Sequence, residues 1–305
     1  MVSIVIALVF AILFPGVILR TKSILAGRKG PGLFQPMKDL SVLFRKGSVI
    51  SSTTSFIFKM APSAGLASVL CAILVLPFGP YHALISFNGD IVFFAYMLAV
   101  GKFFLIIAAL DTGSAFEGMG ANREALFSLL TEPAFFILVG TLAMLTGFTS
   151  FDNIFTGLFA SDNSYVLIYS VLSVFILAQI MQVENSRLPV DDPKTHLELT
   201  MVHEVMILDY CGFDKAIIHV TSYLKYIVYS LLVFDVLVPE TWSDGYQFLL
   251  FAATVFALAI WVGIIESFRA RNKMANNTAY LFTISSIALL AFVVVLILTE
   301  KMTVL

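Results

Sequence analysis

Apolar residues dominate this chain in long runs, and polar connections separate the runs. Runs long enough to cross about 30 Å of hydrocarbon occur at roughly 1–20, 56–79, 91–110, 125–147, 164–183, 216–238, 247–267 and 279–298. Hydrocarbon offers no hydrogen-bond partner to an exposed backbone N–H, so these segments must be helical. We therefore predict an all-α integral membrane protein with about eight transmembrane helices, in a single polytopic domain over 1–305.

Most Lys and Arg residues fall in alternate connections, at about 21–55, 111–124, 184–215 and 268–278. The opposite connections contain acidic residues without Lys or Arg, and only Lys301 in the C-terminal tail departs from this pattern. The positive-inside rule then places both termini outside and the three long polar loops in the cytoplasm. The first run lacks a positive leading segment and a small-residue cleavage site, so it predicts a retained span.

Composition agrees with a membrane protein, because 59% of the residues are hydrophobic and only 12% are charged, against about a quarter charged in soluble domains. No basic stripe with interleaved aromatics indicates nucleic-acid binding. Cys71 and Cys211 form no CxxC pair, which argues against an iron–sulfur or zinc site. The sequence also lacks a phosphate loop, so no catalytic centre is expected.

The most polar stretch runs from Glu184 to Gly212, between two apolar runs. Its titratable residues are Glu184, Arg187, Asp191, Asp192, Lys194, His196, Glu198, His203, Glu204 and Asp209. Such a stretch either lies in water or forms a buried polar network. Leucine, valine and methionine recur between the charges at helical spacing, which favours partial burial.

Charged residues also occur within or beside the predicted spans. Glu132 lies in the fourth span, where a carboxylate is costly unless it is paired or neutral, so it is a functional candidate. Glu124 precedes it on the same helix face, and Lys102 lies inside the third span. Asp111 and Arg123 belong to the second basic connection.

Two acidic residues near helix ends leave more than one interpretation open. Asp235 lies near the outer end of the sixth span, and Glu266 lies at the inner end of the seventh. Glu266 can extend to the interface or pair with Arg269 or Arg271.

The first basic loop reads GRKGPGLFQPMKDLSVLFRKG, and Pro36 can start a helix there. Its apolar face, edged by charges, predicts a helix in the interface plane. The loop either anchors the chain to anionic lipid or docks a soluble partner. The candidate docking residues are Arg28, Lys29, Gln35, Lys38 and Arg45.

These loops carry a family resemblance. GRKGPGLFQPMKDLSVLFRK resembles the first inner loop of the heel subunit of respiratory complex I, and ENSRLPVDDPKTHLEL followed by DYCG is similar to its third loop. Arg123 and Glu132 match an arginine and a glutamate of its second loop and following helix. The resemblance covers essentially the whole chain.

Departures from the family pattern favour one subtype. The first loop lacks the four-residue insert typical of quinone-reducing complexes, and LDTGSAFEGMGANREA resembles the membrane subunits of energy-converting nickel–iron hydrogenases, including formate hydrogenlyase. Lys194 and His196 stand where the family usually has glutamates, Val190 replaces a phenylalanine, and His203 and Glu204 are additional.

The resemblance implies eight tilted helices and a non-catalytic subunit of the inner (cytoplasmic) membrane that couples electron transfer to proton or sodium translocation. It implies no cofactor in this chain, with iron–sulfur clusters and a nickel–iron centre in partner subunits. The implied partners are hydrogenase small and large subunits, a ferredoxin-like iron–sulfur subunit, antiporter-like membrane subunits and lipid.

The candidate coupling residues are acids and histidines of the loops and spans, together with two arginines, since close carboxylates raise one another's pKa and histidine titrates near neutrality. They are Glu132, Glu124, Glu184, Arg187, Asp191, Asp192, His196, Glu198, His203, Glu204, Asp209, Arg123 and Asp111. The alternatives are the quinone-chamber subunit of complex I, a self-sufficient transporter and a passive anchor. The sequence shows no internal repeat of the transporter kind, and a costly carboxylate at Glu132 argues against a passive anchor.

Overall fold

A computed structural model describes residues 2–160, 164–192, 201–239 and 242–303. The described residues form helices α1 (Val2–Leu25), α2 (Gln35–Phe44), α3 (Phe56–Leu74), α4 (Asp90–Asp111), α5 (Ala115–Thr146), α6 (Phe151–Ala160), α7 (Ser164–Glu184), α8 (His203–Met206), α9 (Gly212–Leu237), α10 (Asp244–Phe268) and α11 (Met274–Thr303).

The predicted all-α membrane fold is confirmed. Helices α1, α3, α4, α5, α9, α10 and α11 make up the 7 helices in the described residues that are long and apolar enough to cross a membrane. Helix α7 contributes a shorter apolar segment, Ile168–Glu184, at the position of the predicted fifth span. The amphipathic helix predicted after the first span is α2, which has Pro36 in its first turn.

Two elements differ from the prediction. Helix α5 begins at Ala115 and not near 125, so most of the connection predicted over 111–124 is helical. Helix α6 occupies a stretch that was predicted as an outer connection, because it is too short for a span. It nevertheless buries Phe151, Ile154 and Leu158 on one face, which is the spacing of an amphipathic helix.

Helix α9 lies at the centre of the bundle and is in contact with α1, α2, α3, α7 and α10. Its buried aromatic residues anchor this packing. The ring of Tyr226 stacks on Phe14 of α1 with centroids 3.8 Å apart, and Phe234 packs on Phe78 and Phe251. Because these helices surround the middle of α9, Lys225 in that part of the helix is largely buried, with its side chain 14% exposed.

The connections fall into two groups at opposite ends of the bundle. We call the end with the connections after α1, α4, α7 and α10 the basic side, since Lys and Arg concentrate there. The end with the connections after α3, α5 and α9 is the acidic side. Helix α8 belongs to the basic side, and α6 belongs to the acidic side.

Candidate charge-relay site

Four charged side chains from four helices meet inside the bundle. Lys102 Nζ of α4 lies 2.7 Å from Glu184 Oε1 of α7 and 3.5 Å from Glu124 Oε1 of α5. Lys225 Nζ of α9 lies 3.5 Å from Glu184 Oε2. The side chains are between 8% and 14% exposed. We call these residues the charge cluster; the opposite charges stabilise one another, because each alone would be costly to bury.

Close helix packing brings the cluster together. Gly101 precedes Lys102 at the contact between α4 and α3, where a Cβ atom would lie 2.2 Å from Ser68 Oγ. A larger residue at this position would therefore push α4 away from α3. Glu184 is the last residue of α7, which places its carboxylate at the inner end of that helix.

The short helix α8 folds back onto α5 beside the cluster. A Cβ atom on Gly120 would lie 2.1 Å from Val205 Cγ1, so only glycine allows this approach. His203 N donates a hydrogen bond of 3.0 Å to Asp191 Oδ2, and Arg271 Nη2 lies 2.7 Å from Asp191 Oδ1. Burial raises the pKa of Asp191, while the His203 hydrogen bond and the Arg271 charge lower it part of the way back.

The imidazole of His203 lies among positive charges. Burial, together with the charges of Lys225, His219, Lys102 and Lys215, lowers the pKa of His203 to about 3. The ring is therefore neutral at physiological pH, with one nitrogen that donates a hydrogen bond and one that accepts.

A second set of ion pairs ties α10 to α1 and to the segment after α7. Glu266 Oε2 lies 2.8 Å from Lys22 Nζ, and Glu266 Oε1 lies 3.3 Å from Arg187 Nη1. The pairing of Glu266 with Arg269 or Arg271, one of two possibilities that the sequence left open, does not occur, because those two side chains have other partners. Arg269 lies 5.8 Å from the ring centroid of Tyr280, and Arg271 pairs with Asp191.

Two cavities border the cluster, and a third lies next to one of them. The vestibule, of about 160 Å³, is lined by residues of α1, α2 and α9 and by Arg187, His203 and Glu204. The cluster cavity, of about 50 Å³, is lined by Glu124, Glu184, Lys225 and again His203. The lateral cavity, also about 50 Å³, is lined by Lys102, Glu184 and Glu132.

Several predicted residues are brought to this region. Glu124 and Glu184 are members of the charge cluster, and Glu132 lines the lateral cavity with an exposed side chain. Arg123 Nη1 donates to the carbonyl oxygen of Met201 at 3.0 Å, which ties α5 to the segment before α8. Arg187, His203 and Glu204 line the vestibule, and Glu204 Oε2 lies 3.8 Å from Lys215 Nζ.

Other predicted residues have local bonding roles. Asp111 Oδ2 accepts a 2.6 Å hydrogen bond from Ser55 N, which links the ends of α4 and α3. Asp209 is exposed, and its backbone N–H donates to Glu117 Oε1 at 3.2 Å. The half-buried Asp192 donates its N–H to Asp191 Oδ1 at 2.9 Å.

His196 and Glu198, with Lys194, lie outside the described residues. The predicted docking residues Arg28, Lys29, Lys38 and Arg45 are exposed on and around α2. Gln35 Nε2 donates to Asp39 Oδ1 at 2.8 Å, along the exposed face of α2.

Sequence reasoning missed Lys225, Ser222 and the partners of Glu266. A lysine inside an apolar run is a functional candidate on its own, so the signal for Lys225 was present. Ser222 gave no such signal, since serine is common in membrane helices. It lies one turn before Lys225 and lines both the vestibule and the cluster cavity.

These features define a multi-pass membrane protein that buries paired charges beside internal cavities. The chain belongs to the NADH dehydrogenase family, whose sequence model matches residues 1–298. It is 28% identical over 235 residues to hydrogenase-4 component C of Escherichia coli (strain K12), covering 77% of this chain and 73% of that protein.

A second relative is formate hydrogenlyase subunit 4 of the same organism, with 27% identity over 268 residues, 87% of this chain and 85% of that protein. The fold is similar to a chain of the archaeal membrane-bound sulfane sulfur reductase, a respiratory membrane complex, with a TM-score of 0.78. That match covers 97% of this chain and 100% of the other at 14% identity, so it supports the fold alone.

Proposed function

We propose that this chain is the non-catalytic membrane subunit that couples electron transfer in a peripheral hydrogenase arm to ion translocation. The similarity to hydrogenase-4 component C and formate hydrogenlyase subunit 4 supports the hydrogenase assignment. The partners are then oxidoreductase subunits, with iron–sulfur clusters and a nickel–iron centre in the peripheral arm and antiporter-like subunits in the membrane. The complex lies in the inner (cytoplasmic) membrane.

The observation that carries this proposal is the charge cluster. Glu184 is held by both lysines, whereas Glu124 is close to Lys102 alone. Protonation of Glu184 would leave Lys102 with Glu124 as its carboxylate, and Lys225 with only the backbone carbonyl of Glu184. Groups in such contact titrate as a set, so one added proton redistributes the pairings of the whole cluster.

Neighbouring cavities lie between this cluster and both ends of the proposed route. On the basic side, the vestibule lies next to α2 and the exposed docking residues, where a soluble arm would bind. On the other side, the lateral cavity reaches Glu132, whose exposed carboxylate needs a polar neighbour within the membrane. A charge that enters at the arm therefore reaches a neighbouring membrane subunit through the cluster.

The experiment compares Glu184→Gln and Glu132→Gln with the wild type in the assembled complex in inverted membrane vesicles. Hydrogen evolution reports electron transfer, and quenching of a ΔpH-sensitive dye reports proton uptake. The proposal predicts that the ratio of ions moved to electrons transferred falls in both variants. Full ion pumping with full electron transfer in both variants would contradict it.

The quinone-chamber subunit of a complex I remains the second candidate, because the family includes NADH dehydrogenase subunits. The vestibule beside α1 and α9 is where a quinone head group would enter. Its volume of about 160 Å³ is below the roughly 300–1,000 Å³ of typical small-molecule pockets, and polar groups such as Arg187, Glu204 and His219 line it. Quinone reduction by the purified complex would favour this candidate over the hydrogenase.

A further inference from the structure

The three cavities follow one another in a row. Among the described residues, His203 and Ser222 line both the vestibule and the cluster cavity. Lys102, Glu184 and Leu98 line both the cluster cavity and the lateral cavity. Each shared set of residues forms a partition between two cavities. The first partition, His203 and Ser222, separates the vestibule on the basic side from the buried charges.

The first partition consists of groups that exchange protons readily. A neutral imidazole accepts a proton on one ring nitrogen and releases one from the other, and a serine hydroxyl both donates and accepts. The volume on either side is large enough for water, since about 10–15 Å³ of such volume holds one molecule. A proton can therefore cross from water to imidazole or hydroxyl and on to water.

The same route does not suit a hydrated metal cation. Beyond the partition, the positions next to the carboxylates of Glu124 and Glu184 are occupied by the ammonium groups of Lys102 and Lys225. A hard cation needs several oxygen ligands at once. The fixed positive charges would also repel it.

Titratable and charged groups face His203 from the helices around it. They are Asp39 of α2, Lys102 of α4, Glu124 of α5, Glu184 of α7, Glu204 of α8, and Lys215, His219 and Lys225 of α9, with Asp191 and Arg187 in the segment before α8. Burial first, and then the neighbouring lysines, keep the ring neutral, so a proton resides on it only in transit. Transient occupancy is what a carrier between two aqueous spaces requires.

We propose that His203 and Ser222 form a proton-selective gate between the vestibule and the charge cluster. This inference rests on the proposed function and deepens it by naming the proton, and not sodium, as the ion. In each passage one ring nitrogen of His203 gains a proton from the vestibule side and the other nitrogen loses one to the cluster side. A ring flip then restores the first tautomer, so no charge accumulates.

The test uses His203→Gln in the assembled complex in membrane vesicles, with His219→Gln as the matched control. His219 lines the vestibule on the same helix as Ser222 but is not among the residues that line the cluster cavity. We expect the ratio of protons moved to electrons transferred to fall by about a hundredfold in His203→Gln, at the lower end of what positioned proton-transfer groups contribute. We expect this ratio to stay unchanged in His219→Gln. In Ser222→Ala it should fall, but by less than in His203→Gln.

Chemical rescue separates proton transfer from a structural role. In His203→Ala, added imidazole should restore proton uptake, because it can occupy the space that the side chain leaves. Glutamine at 203 fills that space, so imidazole should not restore uptake in His203→Gln. Equal responses of the two variants to imidazole would overturn the gate.

A further test uses the wild-type complex, so its result does not depend on whether a variant folds. Uptake should proceed in sodium-free medium, and radioactive sodium should not accumulate in the presence of a protonophore. Uptake that requires sodium would overturn the inference. If Glu184→Gln loses coupling while His203→Gln keeps it, the gate is wrong and the proposed function stands. If Glu184→Gln and Glu132→Gln both keep full coupling, the proposed function itself fails.

Discussion

The basic and acidic sides of the bundle both bury carboxylates, but they use them differently. On the basic side, Glu184 and Glu266 are each held by two cationic side chains. On the acidic side, Asp90 accepts hydrogen bonds from Ser150 Oγ at 2.7 Å and from Phe151 N at 2.9 Å. A buried carboxylate thus balances charge at one end and caps a helix at the other.

The surroundings of the two kinds of carboxylate explain this difference. Asp90 sits where α6 begins, and its bonds satisfy a backbone donor that the helix itself cannot satisfy. Glu184 lines two cavities and is surrounded by groups that can exchange protons. Burial alone therefore does not mark the functional acids; ion pairing next to a cavity does.

The largest expected effect is on the basic side. Glu184→Gln leaves Lys225 without its carboxylate and Lys102 with Glu124 alone. Removing one partner of a buried ion pair costs about 3–5 kcal/mol, so we expect the free energy of unfolding in detergent to fall by this amount. A further change of Lys225 to Met should recover part of the loss, because it removes the orphaned charge; no recovery would mean that charge imbalance is not the cause.

The next effect tests the contact that positions α8. Gly120→Ala places a Cβ atom 2.1 Å from Val205 Cγ1 and 2.9 Å from the carbonyl oxygen of Val202. Overpacking of this kind costs about 1–3 kcal/mol and displaces His203, so both stability and coupling should fall. Gly140→Ala in the same helix meets no atom within 4 Å and should be neutral or slightly stabilising; equal effects of the two changes would refute the contact.

A pH dependence follows from the neutral His203. Its pKa falls from 6.5 to about 3 on folding, so the unfolded chain binds more protons between these values. Stability from this group is present above pH 6.5 and is lost as the pH falls toward 3, by at most about 1.4 kcal/mol per unit. Thermal unfolding between pH 7 and 5 should show a shallower slope in His203→Gln than in the wild type; identical slopes would contradict the burial of a neutral ring.

The smallest effect is expected on the acidic side. Asp90→Asn keeps one acceptor oxygen and loses a charge-assisted hydrogen bond, at a cost of about 1 kcal/mol. The ratio of ions moved to electrons transferred should not change. A loss of coupling in Asp90→Asn would contradict the claim that only the carboxylates on the basic side take part in coupling.

The sequence predicted the helices well because hydrocarbon imposes length and apolarity on each span. It failed at α6 and at the start of α5, where the polar side of the membrane allows a helix without a long apolar run. The residues 115–124 contain Glu117, Arg123 and Glu124 and so indicated a loop. Tertiary contacts, including that of Gly120 with α8, hold them in a helix.

The site was predicted only in part, for a related reason. Glu124, Glu184 and His203 were candidates because they are costly or titratable, which the sequence shows directly. Which charges meet depends on how α4, α5, α7 and α9 pack, so the pairings with Lys102 and Lys225 could not be read from spacing. Likewise, the apolar run around Glu132 predicted its depth in the membrane but not the helix face on which its carboxylate lies exposed.

Infrared difference spectroscopy of the assembled complex in membranes, between its oxidised and reduced states, tests the central claim most directly. If carboxylates of the charge cluster change protonation during electron transfer, a carboxyl band that shifts in D₂O will appear. We predict that this band is absent or displaced in Glu184→Gln and identical to the wild type in Asp90→Asn. A band that is unchanged in Glu184→Gln, or lost in Asp90→Asn, would contradict the account.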